Sequence, residues 1–482
     1  MSFTQRPFGF RIVVLFVFVA MLLLYAFFST RTHYWDGVLF SLNIEGVHRG
    51  ELPAGVLFHP NHLLYSALGY LFYKGLLASG LSIRAIAALQ ILNITLAMFG
   101  AWILFGFARR LTKSALIAVF CTVLFAFGAT WWKFSTDADA YVIAVLFLLL
   151  AIPFVARERP LLLPAAACHI AAMLFHELAV FAYVPVIIAI VLNQGRSKAR
   201  RLALSSIYVL STMACTAIAY VIAYQYADHT AYPNLPAWIT SRSTAAQTTH
   251  GVKQLSGYAL SYVKLFAGGK LSLVREFFSG TEALAFAICA ACIAVAVYLF
   301  RRPRPERTSP VERRPVLILW AWLAPYAIFF LWWEPASAFY KLFVWPPIVL
   351  LIGIYAARRR PIAFLVIAFG LVAWNFGAFI FPHSHTSTDP VLALALRIDR
   401  QLPKNATVYY ETFDPDDWYL AYFAPGRRWT KLPSPLPKST IGPVCLETTA
   451  LDAYKSKPAI DPNLRWDLVN RQHNVRLECL KQ

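Results

Sequence analysis

The chain has 482 residues, 59% hydrophobic and only 14% charged, against about a quarter charged in soluble domains, so water is excluded as the solvent for most of it. Its net charge of +20 invites a nucleic-acid reading, but that reading needs a basic face on a soluble domain. Here Arg109, Arg110 and Lys113, then Arg157 and Arg159, Arg196 to Arg201, Arg301 to Arg314 and Arg358 to Arg360 sit in short gaps between apolar stretches. These are inner loops under the positive-inside rule, and no nucleic acid is expected as a partner.

The first apolar stretch, Phe10–Phe28, has Arg6 before it and Arg11 at its start and is not followed by a small-residue cleavage site, which predicts a retained span leaving the cell interior. Just past it, Tyr34-Trp35-Asp36-Gly37 opens a short amphipathic surface helix that runs to Arg49. Asp36 at the mouth of a bundle can take a proton from an attacking hydroxyl or amine; the plainer role is a helix N-cap. Phe58-His59-Pro60-Asn61-His62 opens a second surface or re-entrant helix to Gly80. Counting residues 61–80 as a span would put Arg109 and Arg110 outside. His59 and His62 have no further ligand nearby, so no metal site is assigned; contacts at a helix start or with substrate are expected.

Spans two to four are predicted at Ala85–Phe107, Ala115–Thr130 and Ala140–Ala156. The outer junction between the third and fourth carries Trp131, Trp132, Lys133, Asp137 and Asp139, where catalysis and capping are both open readings. Spans five and six, Leu161–Phe175 and Leu178–Leu192, meet outside at His176-Glu177, a pair that must be solvated or partnered. Span seven, Leu202–Tyr226, leads to an outer loop from Asp228 to Gly280 holding Lys253, Lys264, Lys270 and Arg275.

Spans eight to eleven are Thr281–Phe300, Val316–Trp333, Leu342–Ala357 and Ile362–Phe381. The turn Trp332 to Lys341 brings Glu334, Tyr340 and Lys341 to the outer face. Lys341 could neutralise a phosphate with Tyr340 donating a hydrogen bond, or simply snorkel. About eleven transmembrane helices follow, an all-α polytopic bundle over residues 1–382. In this topology Asp36, Glu45, Glu51, Asp137, Asp139, Glu177, Asp228 and Glu334 all fall on the outer side. Residues 383–482 read as a separate outer α/β soluble module, with a helix at Leu392–Leu402, a strand at Ala406–Tyr410 and a helix at Trp418–Phe423 entered through Asp414-Pro415-Asp416-Asp417. Cys445 and Cys479 could pair there in an oxidising compartment.

The combination resembles the GT-C superfamily of membrane glycosyltransferases, especially protein O-mannosyltransferase-like proteins and lipid A aminoarabinose transferases. Asp36 after the first span, His59-Pro60 opening a surface helix, Ala108 to Leu111 ending one, the acidic junction at Asp137 and Asp139, and Tyr340-Lys341 before Pro346-Pro347 occur in the expected order. The resemblance implies inverting transfer from a polyprenyl-phosphate sugar to a lipid, glycan or protein acceptor, in an inner membrane with the site outside. Asp36 would be the base, Asp137 or Asp139 would assist it, and His59, His176, Glu177, Glu334, Tyr340 and Lys341 would bind substrate or lipid phosphate. Members differ in metal use, so no cofactor is fixed and a divalent metal stays open. The lone Asp36 departs from the Asp-Glu pair of the mannosyltransferases, and no Trp-Trp-Asp motif of the oligosaccharyltransferases is present. An O-antigen ligase or polymerase is the nearer alternative, against which the acidic first loop speaks; a transporter is the other, without the internal repeat it would often show.

Overall fold

A computed structural model of the protein describes residues 8–193, 195, 197–241, 251–269, 278–302, 313–386, 389–401, 404–410, 417–431, 444–447 and 477–479. Helix α1 (Phe8–Phe27) is followed by two short helices, α2 (Trp35–His48) and α3 (Tyr65–Ala78), and then by the long α4 (Ala85–Thr112). Next come α5 (Ala115–Phe127), α6 (Ala129–Ser135), α7 (Tyr141–Val155), α8 (Leu162–Phe175), α9 (Tyr183–Val191) and α10 (Lys198–Tyr224). Helices α11 (Leu235–Thr240) and α12 (Val252–Phe266) lie in the long loop before α13 (Gly280–Arg301). The bundle ends with α14 (Arg313–Trp332), α15 (Trp345–Ala357) and α16 (Pro361–Asn375).

Among the described residues six helices are long and apolar enough to cross a membrane, α5 and α6 qualify as a bent pair, and four shorter apolar helices stand at the remaining expected spans. The residues they turn outward are ones that lipid accepts: Leu15 and Phe16 on α1, Leu210 and Ile218 on α10, and Leu284 and Ile293 on α13 are all exposed. This is an integral membrane protein, with α5 and α7 as its nearly all-buried centre.

The expected third span does not end at Thr130. It breaks at Gly128 and turns by 66° into α6. A side chain at Gly128 would sit 2.5 Å from the Trp345 ring and 2.8 Å from the Leu265 carbonyl, so the break needs a residue without Cβ. The bend carries Trp131 and Trp132 inward, both fully buried.

In the tail, α17 (Pro390–Gln401), β1 (Thr407–Tyr410) and α18 (Asp417–Phe423) match the expected elements, while residues 414–416 of the capping sequence lie outside the described residues. Three further strands appear: β2 (Arg428–Lys431), β3 (Val444–Glu447) and β4 (Leu477–Cys479). The sheet order is β2-β1-β3-β4, with β1 parallel to both neighbours and β4 antiparallel to β3. In that register Cys445 is opposite Cys479.

Candidate active site

The junction after α1 and the junction after α6 are stitched together by two polar side chains on the apolar α4. Gln90 Nε2 donates to the Thr30 carbonyl at 2.9 Å and to the Thr136 carbonyl at 2.7 Å. One turn on, Asn93 Nδ2 donates to the carbonyls of Asp137 at 2.8 Å and Asp139 at 2.7 Å. Both amides are buried, and in an apolar helix each must find such partners.

On this frame Asp137 is saturated. Its carboxylate accepts from His33 Nδ1 at 3.1 Å, from the Tyr34 and Ala138 backbone N–H groups at 2.9 Å each, and from Lys133 Nζ at 2.9 Å. Burial pushes its pKa up, but Lys133 and His33 outweigh burial and hold the carboxyl below its usual range. Asp139 is the reverse. Its Oδ1 accepts only a long contact from the Tyr141 N–H at 3.4 Å, and its Oδ2 is buried without a partner. Burial first, then Asp36 and Asp137, push its pKa well up.

Asp36 is not the N-cap of α2; the cap falls on Tyr34, whose side chain makes no capping bond. The next residue explains where Asp36 stands. A Cβ on Gly37 would lie 2.1 Å from the Ala138 carbonyl oxygen, so only glycine lets the first turn of α2 press against the junction holding Asp139. Asp36 thereby lines a cavity of about 480 Å³.

The cavity gathers most of the expected site. His59, His176, Glu177 and Tyr340 line it together with Asp36. Aromatic side chains form much of its lining, with Tyr34, Phe181, Phe329, Trp333 and Trp418, and among the described residues no lysine or arginine lines it. His59 is held in a tight turn, its Nδ1 accepting from the Asn61 N–H at 3.3 Å, and the Glu177 N–H donates to the Asn61 carbonyl at 3.3 Å. The end of α8 and the start of α3 therefore close one wall.

Glu334 and Lys341 do not line this cavity. Glu334 sits in the left-handed backbone region, φ 45°, and its carboxylate accepts from Ser337 Oγ at 2.9 Å. Lys341 is fully buried, with Nζ donating to the carbonyls of Glu334 at 2.8 Å and Pro335 at 2.9 Å. Here the lysine ties the turn that presents Tyr340, whose ring packs 4.4 Å from that of Trp333. Of the loop cations, Lys253 and Lys264 are on α12, while Lys270 and Arg275 lie outside the described residues.

The tail supplies one wall. Trp418 on α18 lines the cavity, Tyr419 donates to the His33 carbonyl, and Tyr422 Oη donates to Glu45 Oε1 at 2.8 Å. Glu45, buried on α2, also accepts from Arg84 Nε at 2.8 Å and the Ala85 N–H at 2.9 Å, while Arg84 Nη2 donates to the Tyr422 carbonyl at 2.8 Å and stacks over its ring at 4.1 Å. Gln90, Asn93, His33 and Trp418 were not singled out from the sequence. For Gln90 and Asn93 the signal was there, two amides three residues apart in an apolar span; for Trp418 nothing local distinguishes it.

Neither a family model nor any curated protein sequence matches the chain. Among solved structures it is similar to ArnT from Cupriavidus metallidurans bound to undecaprenyl phosphate, with 11% identity, a TM-score of 0.60, and coverage of 97% of this chain and 100% of that one. The apo form of the same protein aligns at 12% identity with a TM-score of 0.49, over 93% and 95% of the two chains. The shared property is the fold.

Proposed function

We propose that this protein is a glycosyltransferase that moves a sugar from a polyprenyl-phosphate carrier to an acceptor hydroxyl or amine, with inversion, on the outer face of the inner membrane. The observation that carries this reading is the placement of Asp36. It lines a cavity at the ends of the helices opposite the basic loops, pressed by Gly37 against the buried junction of Asp139. The overall fold, shared with a protein solved with undecaprenyl phosphate, supports the same reading.

In this mechanism Asp36 accepts the proton of the acceptor as its oxygen or nitrogen attacks the anomeric carbon, and the bond to the lipid phosphate breaks on the opposite side. A neutral Asp139 beside it assists by keeping the neighbouring charge low. Asp137 holds the junction. The aromatic lining suits sugar faces and a prenyl chain, and a wall without lysine or arginine fits a sugar better than a phosphate. The donor phosphate then belongs at the rim, near the turn that Lys341 fixes, and Lys341 would reach it only by leaving its two carbonyls.

The test is transfer itself. Membranes holding the protein are incubated with a panel of polyprenyl-phosphate pentoses and hexoses, and release of the lipid phosphate is followed. At least one donor should be consumed by the native chain and none by Asp36→Asn. Consumption by neither, with both chains folded, removes the reading.

A further inference from the structure

One corner of the cavity holds two histidines that the proposed chemistry leaves unused. His62 and His176 are 6% and 2% exposed, and their rings meet edge to face with centroids 4.6 Å apart. Their hydrogens are set by the backbone. His176 Nδ1 accepts from the Leu178 N–H at 3.2 Å, so in the neutral ring the proton is on Nε2. That Nε2–H is buried and meets no acceptor. His62 is its complement: its ring is hydrogen-bonded to the Phe175 carbonyl, which requires an N–H, and the other nitrogen, Nδ1, is buried without a partner. Burial, aided by the neighbouring histidines, holds His62 down to about 3 and His176 well below its ordinary value, so both are neutral near pH 7.

An unmet acceptor and an unmet donor therefore stand on two rings in contact, a costly arrangement in a protein interior. The chemistry of the pair selects what can relieve it. An ammonium brings donors only and leaves the His176 N–H unmet. A phosphate or carboxylate oxygen brings acceptors only and faces the His62 lone pair. A metal ion meets a proton on His176, and among the described residues no three His, Cys, Asp or Glu side chains converge as ligands. A hydroxyl both donates and accepts, whether it belongs to water or to an alcohol that displaces it.

Resting on the glycosyltransferase reading, we propose that His62 and His176 form a subsite for one sugar hydroxyl, which donates to His62 Nδ1 and accepts from His176 Nε2–H. The Tyr141 ring, 4.8 Å from His176 and 6.0 Å from His62, closes the apolar side. Both nitrogens are buried behind the cavity surface that the two residues line, so the proposal requires the rings to part to admit the hydroxyl. The subsite rejects a sugar that presents an ammonium at that position.

Binding to the full-length protein in lipid nanodiscs is measured by tryptophan fluorescence, with two probe series. One series is polyprenyl-phosphate sugars with single hydroxyls deleted or replaced by amines; the other is methyl glycosides altered in the same way, which reports an acceptor rather than a donor. In one series, deletion at one position should weaken binding about tenfold, the worth of one well-made hydrogen bond, with the amine no better. His62→Phe and His176→Phe should erase that discrimination. Equal binding of all analogues, or discrimination that survives both substitutions, overturns the subsite. Should those variants fail to fold, ¹⁵N-histidine spectra of the native protein decide: both Nδ1 atoms should be unprotonated at pH 7, and a proton on either overturns the proposal. Failure of the wider reading looks different, since then no polyprenyl-phosphate sugar is bound or consumed, whatever its hydroxyls.

Discussion

Asp137 and Asp139 are two residues apart in one junction, and their surroundings treat them in opposite ways. Asp137→Asn leaves Lys133 and His33 without their anion, and breaking a buried pair costs about 3–5 kcal/mol, so this variant should show a large loss of thermal stability in nanodiscs. Asp139→Asn keeps a neutral group of the same shape and should keep both stability and most of the turnover. Asp36→Asn should leave stability near normal and abolish transfer; parallel loss of stability and activity in all three would contradict these assignments. For Lys341→Met the two roles separate cleanly. Two charge-assisted hydrogen bonds are lost, each worth about 1.5–3 kcal/mol, so the melting temperature should fall. An unchanged melting temperature with lowered turnover would instead make Lys341 a direct phosphate ligand.

The histidine corner adds a pH dependence with a definite sign. His62, faced by His59, His176 and Tyr141, has its pKa lowered from 6.5 to about 3 by burial, so between those values the unfolded chain binds a proton that the folded chain does not. Stability is complete above about pH 6.5 and falls on acidification, by up to about 1.4 kcal/mol per pH unit for this residue. His62→Gln should flatten the fall in melting temperature between pH 6.5 and 5, and an unchanged slope would show that His62 does not titrate in this way.

At the scale of elements, α2 is the piece whose position decides the site. Gly37→Ala adds a methyl group within 2.1 Å of the Ala138 carbonyl, and that backbone has Asn93 behind it. The helix must back away, at a cost of about 1–3 kcal/mol, and take Asp36 with it, so activity should fall far more than stability. Full turnover in this variant would mean that the close approach is dispensable. Elements of this kind were partly legible. The surface helices before and after Leu57, the spans and the His176-Glu177 break follow from apolar length and charge placement, which are local properties. The bend at Gly128 is not local, because it answers to Trp345 and Leu265, more than a hundred residues away. Nor are β2, β3 and β4, which have four residues or fewer and are specified by pairing rather than by any alternating pattern. Asp36, His59, His176, Glu177 and Tyr340 could be named because polar groups at the ends of apolar stretches demand a reason. The partners of Lys341 and Asp137 could not, since they are invisible until the chain is folded.

For the whole molecule the expectation is one of sidedness. Cysteine labelling in intact cells should place Lys198 and Arg301 inside, and Asp228 and the tail after Pro382 outside; a tail found inside would separate Trp418 from Asp36 across the bilayer and end the mechanism. The Glu45–Arg84–Tyr422 cluster gives that tail a further meaning. It fastens a segment made after the whole bundle onto helices made before most of it, and it sets Trp418 in the cavity wall. During synthesis the bundle is therefore complete while the cavity still lacks a side, and the cavity is finished only when the segment carrying Trp418 has docked. A ribosome stalled, or a protease cutting, before Trp418 leaves a membrane-embedded chain whose cavity lacks that wall, and under the proposed function such a chain should release no lipid phosphate.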